Sequence, residues 1–142
     1  MKKQYYIVLF YFLLSPILLS QQNSISIKSK LDPKKDQLNI QQEIIFHNTS
    51  DATLTSIFLH NWANSYRNKN TPLSKRFIKD FNKKIFFAKE KELGYTTIKS
   101  LTVDYESSTF EELKNQTDII KITLNKPLLP NSKTKIIVTY TV

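Results

Sequence analysis

Few residues in this chain could bind a metal ion. The sequence contains two histidines, His47 and His60, and no cysteine. The histidines are thirteen positions apart and fall on different predicted strands, so a zinc site would need two further ligands from acidic residues that no local pattern supplies. We therefore predict no metal site and no bound cofactor in this chain. His60 is interpreted as a hydrogen-bonding residue of a packed loop.

Groups suited to acid–base or nucleophilic chemistry are equally sparse. Glu90 with Glu92, and Glu111 with Glu112, could act as paired carboxylates, but the first pair alternates with lysine, which favours solvated charge pairs at a helix end. A single glycine excludes a glycine-rich phosphate loop. No serine lies in a pattern typical of an activated nucleophile. The sequence therefore predicts no catalytic residue.

The most unusual segment lies between a predicted strand and a predicted helix. It combines two aromatic residues, Trp62 and Tyr66, with four asparagines. Large aromatic side chains in a loop need a surface to pack on, and asparagine side chains satisfy backbone groups that a loop leaves unpaired. We predict a structural loop in which Trp62 and Tyr66 pack over the strand and the helix. Its key residues are His60, Trp62, Asn64 and Tyr66.

The start of the chain predicts export. Two lysines precede an apolar run from Tyr5 to Leu14, and a small residue, Ser20, stands before two glutamines. This layout is typical of a signal peptide over residues 1–20, cleaved near Gln21. The alternative is a membrane anchor, but the run is short and Pro16 interrupts it. We expect an exported protein, periplasmic or secreted, with no stable membrane span after cleavage.

The charge of the mature chain argues against one class of partner. Without Lys2 and Lys3, 19 basic and 12 acidic residues remain, a net charge of +7. Arg67 and Arg76 are the only arginines, whereas nucleic-acid readers rely on arginine forks, so no nucleic-acid partner is expected. The lysines of the predicted helix could meet lipid headgroups or an acidic partner, although a solvated outer face is favoured.

Alternation of apolar and polar residues predicts a mainly β fold. Ile25 to Leu31 and Leu38 to Phe46 form a predicted hairpin, and Leu54 to Leu59 a third strand. Tight turns leave no room for crossover helices, which favours an antiparallel β-sandwich or curved sheet. Strands are also predicted over 96–104, 119–124 and 133–142, with a loop or a short irregular turn over 106–118. The last strand reaches the final residue, so residues 21–142 are predicted to be an incomplete β-domain.

One long helix is predicted within this β fold. Thr71 is a plausible N-cap, and Pro72 suits the first helical position. Apolar residues then recur every three or four positions, with basic residues on the other face. Gly94 stands where a helix commonly ends in a left-handed conformation. The predicted helix therefore covers about residues 72–93.

Several short motifs occur in a fixed order along the chain. F-x-N-x-S ends the hairpin at Ser50, L-x-x-I-x-L-H ends at His60, and W-A-N-S-Y follows from Trp62. T-P-L-x-K-R-F, F-x-A-K-E-K-E-x-G and L-N-K-P-L-x-P come later. Together they resemble the N-terminal β-domain of exported bacterial members of the aminopeptidase-N-like zinc metallopeptidases, the gluzincins. The resemblance covers residues 24–142.

The resemblance implies an architectural role. In that family a His-Glu-x-x-His helix and a downstream glutamate bind zinc and supply the base, and neither occurs here. Zinc is thus expected only in a missing catalytic domain. That domain and the parent's peptide substrate are the implied partners, with this chain walling the substrate cleft. The alternative is a free-standing exported β-sandwich that binds a protein or glycan through the Trp62–Tyr66 loop.

Overall fold

The computed structural model describes residues 23–142, and the predicted signal peptide lies outside them. Within these residues, eight strands and two short α-helices follow one another. The strands are β1 (Ser24–Asp32), β2 (Gln37–His47), β3 (Leu54–His60), β4 (Thr97–Val103), β5 (Glu106–Ser107), β6 (Phe110–Leu113), β7 (Gln116–Leu128) and β8 (Lys133–Thr141). The helices α1 (Pro72–Lys79) and α2 (Lys84–Phe87) lie between β3 and β4, flanked by 3-10 turns at Trp62–Tyr66 and Glu90–Glu92.

The strands form two antiparallel sheets. Sheet A has the order β1-β2-β8-β4-β5, and sheet B has the order β3-β7-β6. Alternate apolar residues of both sheets face one another and form a single core. Ile122 of β7 and Ile136 of β8 are fully buried at its centre. The predicted mainly β, antiparallel sandwich is therefore confirmed, as is the first hairpin, in which Ile25 pairs with Ile44.

The predicted loop over 106–118 is wrong. This segment contains β5, β6 and the start of β7, and β6 pairs antiparallel with β7. Its polar composition hid the strands because β6 is an edge strand with an outward face, where glutamates are tolerated. Glu111 binds Lys121 at 3.0 Å, while the adjacent Glu112 binds Arg67 at 2.8 Å. The two carboxylates thus have separate structural partners.

The predicted single helix over 72–93 is also wrong. Thr71 caps α1 as predicted, accepting a hydrogen bond from the Ser74 amide, but α1 ends at Lys79. Phe81 has a φ of 58°, and two amides close the end in a Schellman motif: Phe81 N–H to the Ile78 carbonyl and Asn82 N–H to the Phe77 carbonyl. Gly94 does not adopt a positive φ, so it does not cap a helix.

Sheet A extends beyond the area that sheet B covers. Ile25 and Ile27 of β1 lie on the core-facing side, as the alternation predicts, but they are 60% and 58% exposed. The uncovered part of this face is apolar. No helix of residues 23–142 is long and apolar enough to cross a membrane.

Candidate functional site

The uncovered face of sheet A forms one side of an open apolar groove. The groove has a volume of about 530 Å³. Its sheet A side carries Ile25, Ile40, Gln42, Ile98 and Tyr140, and its opposite side is formed by the end of β3 and the 3-10 turn at Trp62–Tyr66. Apolar residues of β1, β2, β4 and β8 thus meet the aromatic segment that the sequence singles out.

One polar pair lies within this apolar surface. The Tyr140 hydroxyl lies 3.1 Å from the Gln42 side-chain oxygen and donates a hydrogen bond to it. Burial raises the pKa of Tyr140 above its ordinary value of 10.0, because the phenolate is poorly solvated there. The phenol is therefore neutral at physiological pH and available as a hydrogen-bonding group in the groove. Gln42, which interrupts the apolar face of β2 in the sequence, is the residue that pairs with it.

Asn64 fixes the 3-10 turn that forms the opposite wall. Its side chain is 1% exposed and joins two other parts of the chain. The side-chain amide donates to Glu112 of β6 at 3.1 Å, and its oxygen accepts from the Thr96 amide at 2.9 Å. Glu112 is held in turn by Arg67, with an N–O distance of 2.8 Å. The turn is thereby attached to both β6 and the start of β4.

A second buried polar network attaches the turn to α1. The Thr71 hydroxyl donates to the Ser65 carbonyl at 2.6 Å, and the Ser74 hydroxyl donates to the Asn68 carbonyl at 2.7 Å. Ser65, Thr71 and Ser74 are all buried. These small side chains therefore satisfy backbone carbonyls that the loop leaves unpaired.

The predicted packing of Trp62 is wrong. Trp62 is 58% exposed and lines the groove beside His60, which is also exposed. Tyr66 is half-buried. Of the four residues predicted to form a structural loop, Asn64 carries the contacts, while Trp62 and His60 face the groove. The asparagine network fixes the backbone, so Trp62 is free to present its indole ring at the groove.

The described residues do not provide a zinc site. No group of three or more His, Cys, Asp or Glu side chains lies close enough to hold a metal ion within residues 23–142. His47 and His60 belong to different sheets, on β2 and β3. A zinc ion therefore has no ligand set among residues 23–142.

The lining of the groove is apolar with a few neutral polar groups. None of the described Lys, Arg, Asp or Glu residues lines it, so it offers one phenol, one imidazole and several amides on an apolar surface. Sequence reasoning missed Ile25, Ile98 and Tyr140 as groove residues because alternation assigns them to a buried face. Ile25 is exposed, while Ile98 and Tyr140 are half-buried. How far each is covered depends on the extent of sheet B, which no local pattern encodes.

Comparisons with known proteins do not identify the chain. A scan of its sequence against protein-family models finds no match, and a search of curated proteins also finds none.

Proposed function

We propose that this chain is the non-catalytic N-terminal β-domain of an exported zinc aminopeptidase-like metallopeptidase, and that it walls one side of the substrate cleft in the parent. In this proposal the zinc and the catalytic residues belong to a following catalytic domain. The protein is exported, periplasmic or secreted, after removal of residues 1–20.

The observation that carries this proposal is the open apolar groove. A sandwich that served alone would gain stability by covering Ile25 and Ile27, whereas here the larger sheet leaves them exposed. Large apolar patches on folded proteins commonly mark interfaces. A neighbouring domain of the same polypeptide is a suitable occupant, because such an interface stays covered throughout the life of the protein.

The position of the family-like motif supports the same proposal. W-A-N-S-Y is the segment that most resembles the gluzincin domain, and it forms the wall of the groove. Asn64 and Ser65 within it hold the backbone, while Trp62 faces outward. A rigid turn that presents an exposed aromatic ring is suited to contact with a second domain or with a peptide.

The first test is the reading frame beyond Val142. A downstream His-Glu-x-x-His is expected, and the longer protein should hold zinc and cleave an aminoacyl p-nitroanilide. Ile25→Asp in that protein should lower its melting temperature and activity through loss of domain packing. Phe58→Asp is the matched control, since Phe58 is similarly exposed but lies outside the groove. A stop codon directly after Val142 would contradict the proposal.

The export part of the proposal has its own test. Expression in a bacterial host should give a mature chain that begins near Gln21, as determined by N-terminal sequencing. Retention of Met1 on a membrane-embedded protein would show that the apolar segment is an anchor.

A second candidate function is favoured by the exposure of Trp62. A free-standing exported β-sandwich could bind a protein or glycan through the Trp62–Tyr66 loop, and an exposed indole in a groove is typical of such sites. Trp62 is the single tryptophan, so its emission reports on this site alone. A saturable blue shift on titration with oligosaccharides or peptides, in a protein ending at Val142, would establish this function.

A further inference from the structure

Residues 69–92, here called the basic segment, carry most of the net charge of the mature chain. The segment contains α1 and α2 and has eight basic and three acidic residues, a net charge of +5. The rest of the mature chain has eleven basic and nine acidic residues, a net charge of +2. The positive charge is therefore concentrated in a segment of 24 residues that lies between β3 and β4 in the sequence.

Exposed aromatic rings stand among these charges. Phe81 is 89% exposed and Phe87 is 72% exposed. Phe86 and Phe87 form an edge-to-face pair with ring centroids 5.3 Å apart, and the Lys69 ammonium lies 5.2 Å from the Phe86 centroid. Phe86 thus lies beside both a second aromatic ring and a cationic group.

The ring of Phe81 contributes almost nothing to the fold. It occupies the C′ position of α1 with a φ of 58°, a conformation in which glycine is strongly preferred and a side chain is disfavoured. The Schellman hydrogen bonds that end α1 involve only backbone atoms. The stability of the fold therefore does not account for a bulky apolar side chain at this position.

The lysines of the segment are also available to a partner. Arg76 lies 3.7 Å from Asp80, but Lys75, Lys79, Lys83 and Lys84 form no ion pair with any residue of the described chain. Four lysines without an ion pair in residues 23–142 and three exposed phenylalanines within one segment match the requirements of an anionic lipid surface. The rings can enter the boundary between headgroups and acyl chains while the lysines meet the phosphates.

We propose that the basic segment is a peripheral membrane-binding surface that docks on anionic phospholipid bilayers through Phe81, Phe87 and the neighbouring lysines. This role is independent of the proposed metallopeptidase function, because it involves neither the groove nor the Trp62–Tyr66 turn. It would hold an exported protein at a membrane surface without a membrane-spanning segment.

The test is co-sedimentation of the exported, processed chain with vesicles. One set contains phosphatidylcholine with phosphatidylglycerol, and the other contains phosphatidylcholine alone. Lys83→Gln/Lys84→Gln removes two lysines of the segment, and Lys34→Gln/Lys35→Gln removes an exposed adjacent pair from the β1–β2 turn as the matched control. Phe81→Gly removes the ring and places glycine, the residue preferred at the C′ position of a Schellman motif, at the end of α1. Its control is Phe58→Thr, which removes an exposed phenylalanine from β3.

We expect binding to the anionic vesicles only, and weaker binding at high salt. Each lysine removed should weaken vesicle binding about fivefold, so Lys83→Gln/Lys84→Gln should bind about 25-fold more weakly than the unmodified chain. Phe81→Gly should weaken vesicle binding about tenfold, because the variant lacks the apolar ring that is buried in the lipid interface. The two controls should stay within about twofold of the unmodified chain, and all four variants should remain folded, as judged by circular dichroism.

Three results would overturn the proposal. They are no binding to anionic vesicles, equal binding to both vesicle types, and equal losses in the control and segment variants. The first would instead assign the segment to an acidic protein partner or to solvent. None of these results would affect the proposed metallopeptidase function, which depends on the groove.

Discussion

Replacing Asn64 with alanine should destabilise the fold far more than its position in an irregular turn suggests. The substitution removes the amide that donates to Glu112 at 3.1 Å and the oxygen that accepts from Thr96 at 2.9 Å. These contacts join the turn to β6 and to Thr96, the residue before β4. Their loss leaves the Thr96 amide without this acceptor and Glu112 with Arg67 alone.

The magnitude follows from the type of each hydrogen bond. A bond between neutral groups contributes about 1 kcal/mol, and one to a charged group about 2 kcal/mol. Asn64→Ala should therefore lower the free energy of unfolding by about 3 kcal/mol. For a domain of this size, that corresponds to a fall in melting temperature of roughly 10 °C.

The assay is thermal unfolding followed by circular dichroism. Asn70→Ala is the matched control, because Asn70 lies in the same loop and is exposed. It should change the melting temperature by no more than about 2 °C, as is usual for exposed surface positions. Equal melting temperatures for Asn64→Ala and Asn70→Ala would refute the view that buried asparagine contacts hold this segment.

Three further changes have different expected outcomes. Trp62→Ala should cost only about 1 kcal/mol, because the ring is 58% exposed, and the emission maximum of the unmodified chain should be that of a solvent-exposed indole. Ile122→Ala should cost about 2–5 kcal/mol, whereas Ile27→Ala on the exposed face should cost under about 1 kcal/mol. The pKa of Tyr140 is raised in the folded chain, so its contribution to stability is complete below pH 10 and lost as the pH rises through the folded pKa. In urea titrations, Tyr140→Phe should therefore lose less stability above pH 10 than the unmodified chain.

The sequence predicted the sheets well because alternation reports which side chains face inward. Ile136 and Val138 of β8 are buried, as their alternation predicts. Alternation does not report whether another layer covers the inward face. Ile25 and Ile27 have the same pattern and lie on the same side of sheet A, yet they are exposed because sheet B has only three strands.

The sequence predicts one long helix because no glycine marks the point where α1 ends. Apolar spacing continues across residues 77–85, so periodicity alone favours one helix. The chain instead turns at Phe81, which adopts the left-handed conformation despite its side chain. Asn82 then starts the next turn by accepting a hydrogen bond from the Lys84 amide through its side-chain oxygen. Asparagine side chains commonly accept such hydrogen bonds, so Asn82 is the residue in the sequence that indicates a break in the helix.

The two candidate surfaces respond to salt in opposite ways, which allows their partners to be separated. The groove is lined by none of the described Lys, Arg, Asp or Glu residues, so an occupant held there by apolar burial should bind more tightly in sulfate. The basic segment has a net charge of +5, so an anionic partner bound there should be released as ionic strength rises. A partner that binds more tightly in sulfate and is lost in Ile25→Asp therefore occupies the groove. One that is released by salt and lost in Lys83→Gln/Lys84→Gln occupies the basic segment.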